Sequence, residues 1–217
     1  MIPVVVFASG RGSNFEAIHR AIETGRLSGV EIRSVLSDRP QSGVLARAKE
    51  LGIPGVCVPF PEGPKETLEE RRLVHARKVQ DELKKFHPHF IILAGYMRII
   101  PKILLDDFRS ERGYCRIVNV HPSLLPAFPG VHSYAQAFEY GAKVSGVTVH
   151  LVEEGVDTGP ICAQRSFSIE GCRTSEEVER IGLALEHELF PDTLNWVVRE
   201  EFKTEQLPRG RLRVYQS

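Results

Sequence analysis

Pro3-Val-Val-Val-Phe-Ala8, then Ser9-Gly10-Arg11-Gly12-Ser13-Asn14, then a helix-patterned stretch over 14–26, place an apolar strand, a glycine-rich turn and a helix in direct succession. A strand that is apolar at every position is buried on both faces, which requires a sheet with helices on each side. Strand-like runs rich in Val and Ile recur at 31–36, 55–58, 90–94, 117–120, 146–152 and 161–167, that at 90–94 again unbroken, with helix patterns over 43–51, 68–86, 132–140 and 175–199 in the gaps. The fold class read from this order is α/β: a doubly wound, mostly parallel seven-stranded sheet with helices on both faces. Thr174 and Glu177 have capping-box spacing at the start of the last helix, and Pro191 is expected to kink that helix or split it after Phe190. The proline-rich stretch 122–129 reads as a loop, and no linker or repeat divides the chain.

The 217 residues suffice to bury about 70% of the unfolded surface. With 42% hydrophobic and 26% charged residues, composition excludes disorder, collagen and disulfide-stapled miniproteins. Lys plus Arg equals Asp plus Glu at 28 each, which argues against nucleic-acid or membrane-surface binding through bulk charge and leaves small molecules as partners. The first apolar run is too short to span a bilayer and follows no basic segment, so the expected location is the cytoplasm. Cys57, Cys115, Cys162 and Cys172 have neither zinc nor redox spacing and read as reduced and mostly buried.

Backbone amides of a glycine-rich turn at a helix N-terminus carry partial positive charge and suit a phosphate. The turn begins like a dinucleotide fingerprint and Asp38 ends the second strand, where it would take a ribose hydroxyl, yet Phe15 stands where the third glycine belongs. That favours a monophosphate over a nicotinamide cofactor. A plain tight turn capped by Ser13 fits the same residues.

Asn119 and His121 alternate on one face at the end of a buried strand, and His150 ends a similar alternation before the acidic loop 153–160 that holds Asp157. In open α/β sheets the carboxyl edge is where ligands bind. An amide donor, an imidazole and a carboxylate are the minimum set for acyl transfer: amide and protonated imidazole stabilise an oxyanion, and the carboxylate keeps the imidazole charged. His121 and His150 also suit buried structural roles. Neither H-x-x-x-H nor H-E-x-x-H occurs, so no metal is expected.

Asn119-Val-His-Pro-Ser-Leu-Leu-Pro-Ala-Phe-Pro-Gly130, Gly146-Val-Thr-Val-His150, Asp157-Thr-Gly-Pro160, Gly10-Arg-Gly-Ser-Asn14 and Gly95-Tyr-Met-Arg-Ile99 together resemble the folate-dependent glycinamide ribonucleotide formyltransferases, from the first strand to about Trp196. The resemblance implies formyl transfer from 10-formyltetrahydrofolate to the amine of glycinamide ribonucleotide, without metal. It implies a catalytic trio of Asn119, His121 and Asp157 supported by His150. It places the substrate phosphate on Gly12, Ser13 and Asn14, and Glu186 near the substrate amine. Met97, Arg98, Ile99, Ile100 and the loop of Glu154, Gly155 and Val156 would line the folate pocket, with Arg72 reaching toward it. Leu183 stands where the family often has Lys or Gln, so the phosphate loses a contact or Arg11 or another cation replaces it. One domain over 1–217 is expected, with 1–115 as its phosphate-binding half and 116–217 as its folate and catalytic half, in a monomer or homodimer.

Two relatives of that family compete. A formyltetrahydrofolate hydrolase carries a regulatory domain in front, whereas the first strand here begins at Pro3; a methionyl-tRNA formyltransferase adds a C-terminal RNA-binding domain and a basic surface, whereas few residues follow Trp196 and the charge sum is zero. A non-catalytic nucleotide sensor on the same fold would keep the Gly10–Asn14 turn but has no use for Asn119, His121 and Asp157.

Overall fold

The structure, a computed structural model, describes residues 1–63 and 67–216. Seven strands form one sheet in the order β3-β2-β1-β4-β5-β6-β7: β1 Ile2–Phe7, β2 Val30–Ser37, β3 Gly55–Cys57, β4 Phe90–Leu93, β5 Ile117–His121, β6 Val144–Leu151 and β7 Ile161–Ser168. The first five run parallel, β6 runs antiparallel to β5, and β7, antiparallel to β6, returns to the direction of the first five. From β1 the chain winds one way to β2 and β3, then returns to add β4 on the other side. The strand order reverses between β1 and β4, and a crevice opens beyond their carboxyl ends.

Side-chain alternation along β1 explains why its whole run is apolar. Val4 and Val6 join one core cluster with Phe15 and Ile18 of α1 (Ser13–Glu23) and Phe190 and Leu194 of α6 (Ser175–Val197). Val5 and Phe7 join the opposite cluster with Val79 and Leu83 of α3 (Leu68–Phe86) and Leu104 and Leu105 of α4 (Lys102–Asp107). Each fully buried side chain of this kind contributes roughly 1.5–3 kcal/mol. Helix α2 (Gly43–Glu50) follows β2, and α5 (Ser133–Tyr140) follows the loop that contains 122–129.

Several local expectations change. Helix α1 is not capped by Ser13: its N-cap is Gly12, at φ 84°, with no side-chain cap bond. A Cβ at Gly12 would lie 2.8 Å from Val44 Cγ2 and 2.9 Å from Val44 Cα, so both the left-handed backbone and the close approach of α2 demand glycine. Helix α6 runs through Pro191 as one helix and does not split. Near the proline's missing N–H, Arg26 donates to the Glu188 carbonyl and Thr193 Oγ1 to the Leu189 carbonyl, while Pro191 itself is buried. Thr174 does accept from the Glu177 amide, but the Glu177 carboxylate returns to the amide of Arg173. A full capping box stands instead at Thr67 and Glu70, at the start of α3. Only Cys115 of the four free cysteines is buried; Cys57 is exposed and Cys162 and Cys172 are half-buried.

Beyond the main sheet, β8 (Phe202–Gln206) and β9 (Leu212–Gln216) form an antiparallel hairpin. Phe202 packs against Tyr114 and Trp196, with ring centroids 4.9 and 6.0 Å apart, and so closes one end of the core.

Candidate active site

A cavity of about 780 Å3 opens at the reversal of strand order. The loop after β1 contributes Ser9 to Asn14, the loop after β4 residues 93–100, and the end of β5 Asn119 and His121. Residues 130–135, His150 and the loop through Asp157 close it from β6 and α5, and α6 presents Ser175, Glu179, Leu183 and Glu186 from one face.

Strand pairing brings the polar trio together. Antiparallel register sets Asn119 opposite His150 and His121 opposite Thr148. Asn119 Nδ2 is 3.1 Å from His150 Nε2, and His150 Nδ1 is 2.9 Å from the Leu151 carbonyl, so the imidazole donates through Nδ1 and accepts from the amide. One of the two Asn119 amide hydrogens is left for a ligand. Asp157, at φ 53°, turns its carboxylate inward: Oδ2 accepts from the Gly130 amide at 2.7 Å and lies 3.3 Å from His121 Nδ1, while Oδ1 is 3.7 Å from His150 Nε2. Burial works against the Asp157 charge, but the His150 contact, the Gly130 amide and His121 outweigh it and hold the carboxyl below the usual aspartate range.

His121 differs from the sequence expectation in one respect. Its Nε2 lies 2.9 Å from the Phe128 carbonyl and 3.2 Å from Ser133 Oγ, so acceptors stand at both ring nitrogens, as an imidazolium would require. The ring is nevertheless only 2% exposed, and burial outweighs the raising effect of Phe128 and Asp157, with His150 adding to it. Its pKa is therefore pulled below the ordinary imidazole value, not raised above it.

At the opposite side of the cavity the amides of Ser13 and Asn14 open the first turn of α1, while Glu16 N is already bonded to the Gly12 carbonyl. Glu186, 4% exposed, is held by Asn14 Nδ2 on Oε2 at 2.6 Å and by the Tyr134 hydroxyl on Oε1 at 2.7 Å. Burial pushes its pKa above the ordinary glutamate value despite both donors. Arg11 reaches Glu179 at 3.0 Å on the exposed rim, beside the apolar Leu183.

Met97, Ile99 and Val156 expose large apolar side chains at the cavity, with the buried Ile100 beside them and Gly155 in the same wall. Two expected contacts fall elsewhere, and a third residue, Arg98, lines the cavity but is engaged by protein partners. Glu154 does not line the cavity and pairs with Lys102 at 3.2 Å. Arg72 lines a smaller neighbouring cavity of about 170 Å3, which shares Met97, Arg98 and Ile99 with the large one. Arg98 donates its Nε to Asp38 at 2.6 Å and stacks on Phe60 at 4.4 Å. Asp38 is thereby occupied, accepting Ser9 Oγ at 2.5 Å on its other oxygen, and is not available to a ribose. Ser9 Oγ in turn accepts from the Met97 amide, tying the loop after β4 to the first turn. Ser133, Tyr134 and the Phe128 carbonyl were not singled out from sequence; they follow no spacing rule, and Tyr134 would have been found only through its fit against Gly182, where a Cβ would lie 2.2 Å from its ring.

Among the described residues, no group of three or more His, Cys, Asp or Glu side chains is placed to hold a metal ion, and no helix is long and apolar enough to cross a membrane. Residues 2–194 match the formyl transferase family. The phosphoribosylglycinamide formyltransferase of Bacillus subtilis is 40% identical over 189 residues, covering 87% of this chain and 91% of that protein. The crystal structure of phosphoribosylglycinamide formyltransferase from Bacillus halodurans superposes with a TM-score of 0.80 at 40% identity, over 90% of this chain and 95% of that one. Glycinamide ribonucleotide transformylase 1 from Symbiobacterium toebii gives a TM-score of 0.85 at 32% identity, over 100% and 95%. With the match spanning nearly the whole sheet and every loop that lines the cavity, the chain belongs to the formyl transferase family.

Proposed function

We propose that this protein transfers a formyl group from 10-formyltetrahydrofolate to the amine of glycinamide ribonucleotide, a step of purine biosynthesis. One observation carries the reading: a single cavity joins a helix N-terminus suited to a phosphate, an apolar wall of Met97, Ile99, Ile100 and Val156 suited to a flat ring system, and the Asn119, His121 and Asp157 side chains. The names of the relatives point to the same substrate.

The chemistry follows from the resting state of the site. The neutral amine attacks the formyl carbon and negative charge develops on the formyl oxygen, toward which Asn119 directs its remaining amide hydrogen. The Asp157–His121 pair takes the proton that the nitrogen must lose, the carboxylate facing the cavity and His121 behind it, and the carboxylate stabilises the imidazolium so formed. Cleavage of the carbon–N10 bond then returns that proton to the folate nitrogen, so His121 ends as it began. Glu186 belongs to the ribonucleotide side of the site, Arg11 supplies positive charge near its phosphate, and Arg98 offers its outer guanidinium nitrogens to an acidic group of the folate.

The test is folate release with and without the amine. Mixed with 10-formyltetrahydrofolate, the protein is expected to release tetrahydrofolate only when glycinamide ribonucleotide is present. Release without it would identify a hydrolase, and binding without release a sensor.

A further inference from the structure

Adjacent residues at the start of α5 brace the two sides of the cavity: Ser133 reaches His121, and Tyr134 reaches Glu186. Tyr134 is buried, its ring lies against Gly182, and its hydroxyl ends 2.7 Å from Glu186 Oε1. Glycine at 182 is required by this contact, because any Cβ there would overlap the tyrosine ring. Asn14 holds the other carboxylate oxygen through Nδ2, which aims its own Oδ1 away from Glu186. That Oδ1 is buried and has no hydrogen-bond partner among the described residues, although Asn14 lines the cavity and is only 8% exposed.

We propose that Tyr134 is a positioning residue for the ribonucleotide: with Asn14 it fixes the Glu186 carboxylate so that Glu186 accepts from the hydrogen-bond donors the substrate carries next to its phosphate. The proposal rests on the formyl-transfer reading for the identity of the ligand. Its geometric basis is that Asn14 belongs to the first turn of α1, so the Glu186 carboxylate that it holds at 2.6 Å lies beside the helix end suited to a phosphate. A carboxylate free to rotate would present its lone pairs in many directions; one bonded at both oxygens presents the remaining ones in fixed directions. The groups bearing on Glu186 are Tyr134 from α5, the neutral Asn14 from α1 and Glu179 from its own helix, which pairs with Arg11. Each hydroxyl or amide donor lowers the carboxyl pKa, and burial and Glu179 raise it.

The experiment measures the Kd of glycinamide ribonucleotide by calorimetry between pH 5 and 9 for the wild type, Tyr134→Phe, Glu186→Gln and the double variant. Tyr134→Phe keeps the ring and its packing and deletes one donor. It is expected to raise the ribonucleotide Kd about tenfold near neutral pH, the scale of one hydrogen bond to a charged group, and to leave the Kd of a folate analogue unchanged. With one donor fewer, Glu186 titrates at higher pH, so the ratio of variant to wild-type Kd should grow as pH falls. Titration of the substrate phosphate cancels in that ratio. In the Glu186→Gln background the effect of Tyr134→Phe should shrink and lose its pH dependence. Gly182→Ala, which displaces the ring without removing the hydroxyl, should also weaken ribonucleotide binding selectively. A pH-independent ratio, a loss shared equally by the folate analogue, or an undiminished effect in the Glu186→Gln background would each overturn the assignment. Failure of the formyl-transfer reading would show separately, as a wild type that does not bind the ribonucleotide.

Discussion

Asp157→Asn isolates the charge on which the proposed proton transfer depends. The isosteric amide retains an oxygen for the Gly130 amide, bonded at 2.7 Å in the structure, so the loop keeps its inward turn. What is lost is a negative charge 3.3 Å from His121 Nδ1. At an effective dielectric constant of about 20, unit charges at that separation attract by roughly 5 kcal/mol. The amide dipole and partial exposure of the loop recover about half, leaving about 2.5 kcal/mol and a fall in kcat of about 10²-fold. Substrate KM and folate-analogue Kd should change little, because the charge matters only once the imidazolium forms. The pH profile should move as well: Asp157 raises the His121 pKa against burial, so its removal lowers that pKa further and shifts the acid limb of kcat to lower pH. The assay is steady-state formyl transfer from pH 6 to 9. A kcat near wild type throughout that range would make the trio structural and refute the mechanism.

Other variants probe the remaining parts of the cavity. Asn119→Ala removes an oxyanion donor and should cost about 10²-fold or more in kcat; combined with His121→Ala, the loss measured in the same assay should be smaller than the product of the two single losses, since both serve one intermediate. Arg98→Ala should weaken a folate analogue by about 1–3 kcal/mol by calorimetry, and an unchanged Kd would leave Arg98 with Asp38 and Phe60 as its only task. Gly12→Val probes folding and not the phosphate seat: its Cβ would meet Val44 and not the cavity, so circular dichroism and thermal melting should report loss of the native fold, and a folded variant with a selectively raised substrate KM would contradict the packing.

The strands were legible because burial on both faces writes itself as unbroken apolar runs, and β1 and β4 are of that kind. Asn119 and His121 were legible because strand periodicity puts alternate residues on one face, and the register with β6 then delivers His150 to the same place. Asp157 is different: its side chain enters the site through a left-handed backbone conformation in a loop, which no periodicity announces; the residues offer it as one carboxylate of an acidic loop, and the resemblance singles it out. Helix α4 is six residues long, too short for a helical pattern to stand out, and the β8–β9 hairpin is secured by the contacts of Phe202 with residues distant in the sequence. The pKa of His121 is hidden from the sequence for a related reason. Its carboxylate neighbour is visible in the sequence, but the depth of burial that outweighs it is a property of the folded molecule. Asp38 similarly looked free because its partners, Ser9 and Arg98, lie 29 and 60 residues away.

The most direct measurement of the central claim follows the carbon. With 10-formyltetrahydrofolate carrying 13C in its formyl group and equimolar glycinamide ribonucleotide, carbon NMR of the reaction should show the label arriving as an N-formyl amide on the ribonucleotide, in step with the appearance of tetrahydrofolate. Label appearing instead as free formate, or remaining on the folate while both molecules are bound, would contradict direct transfer.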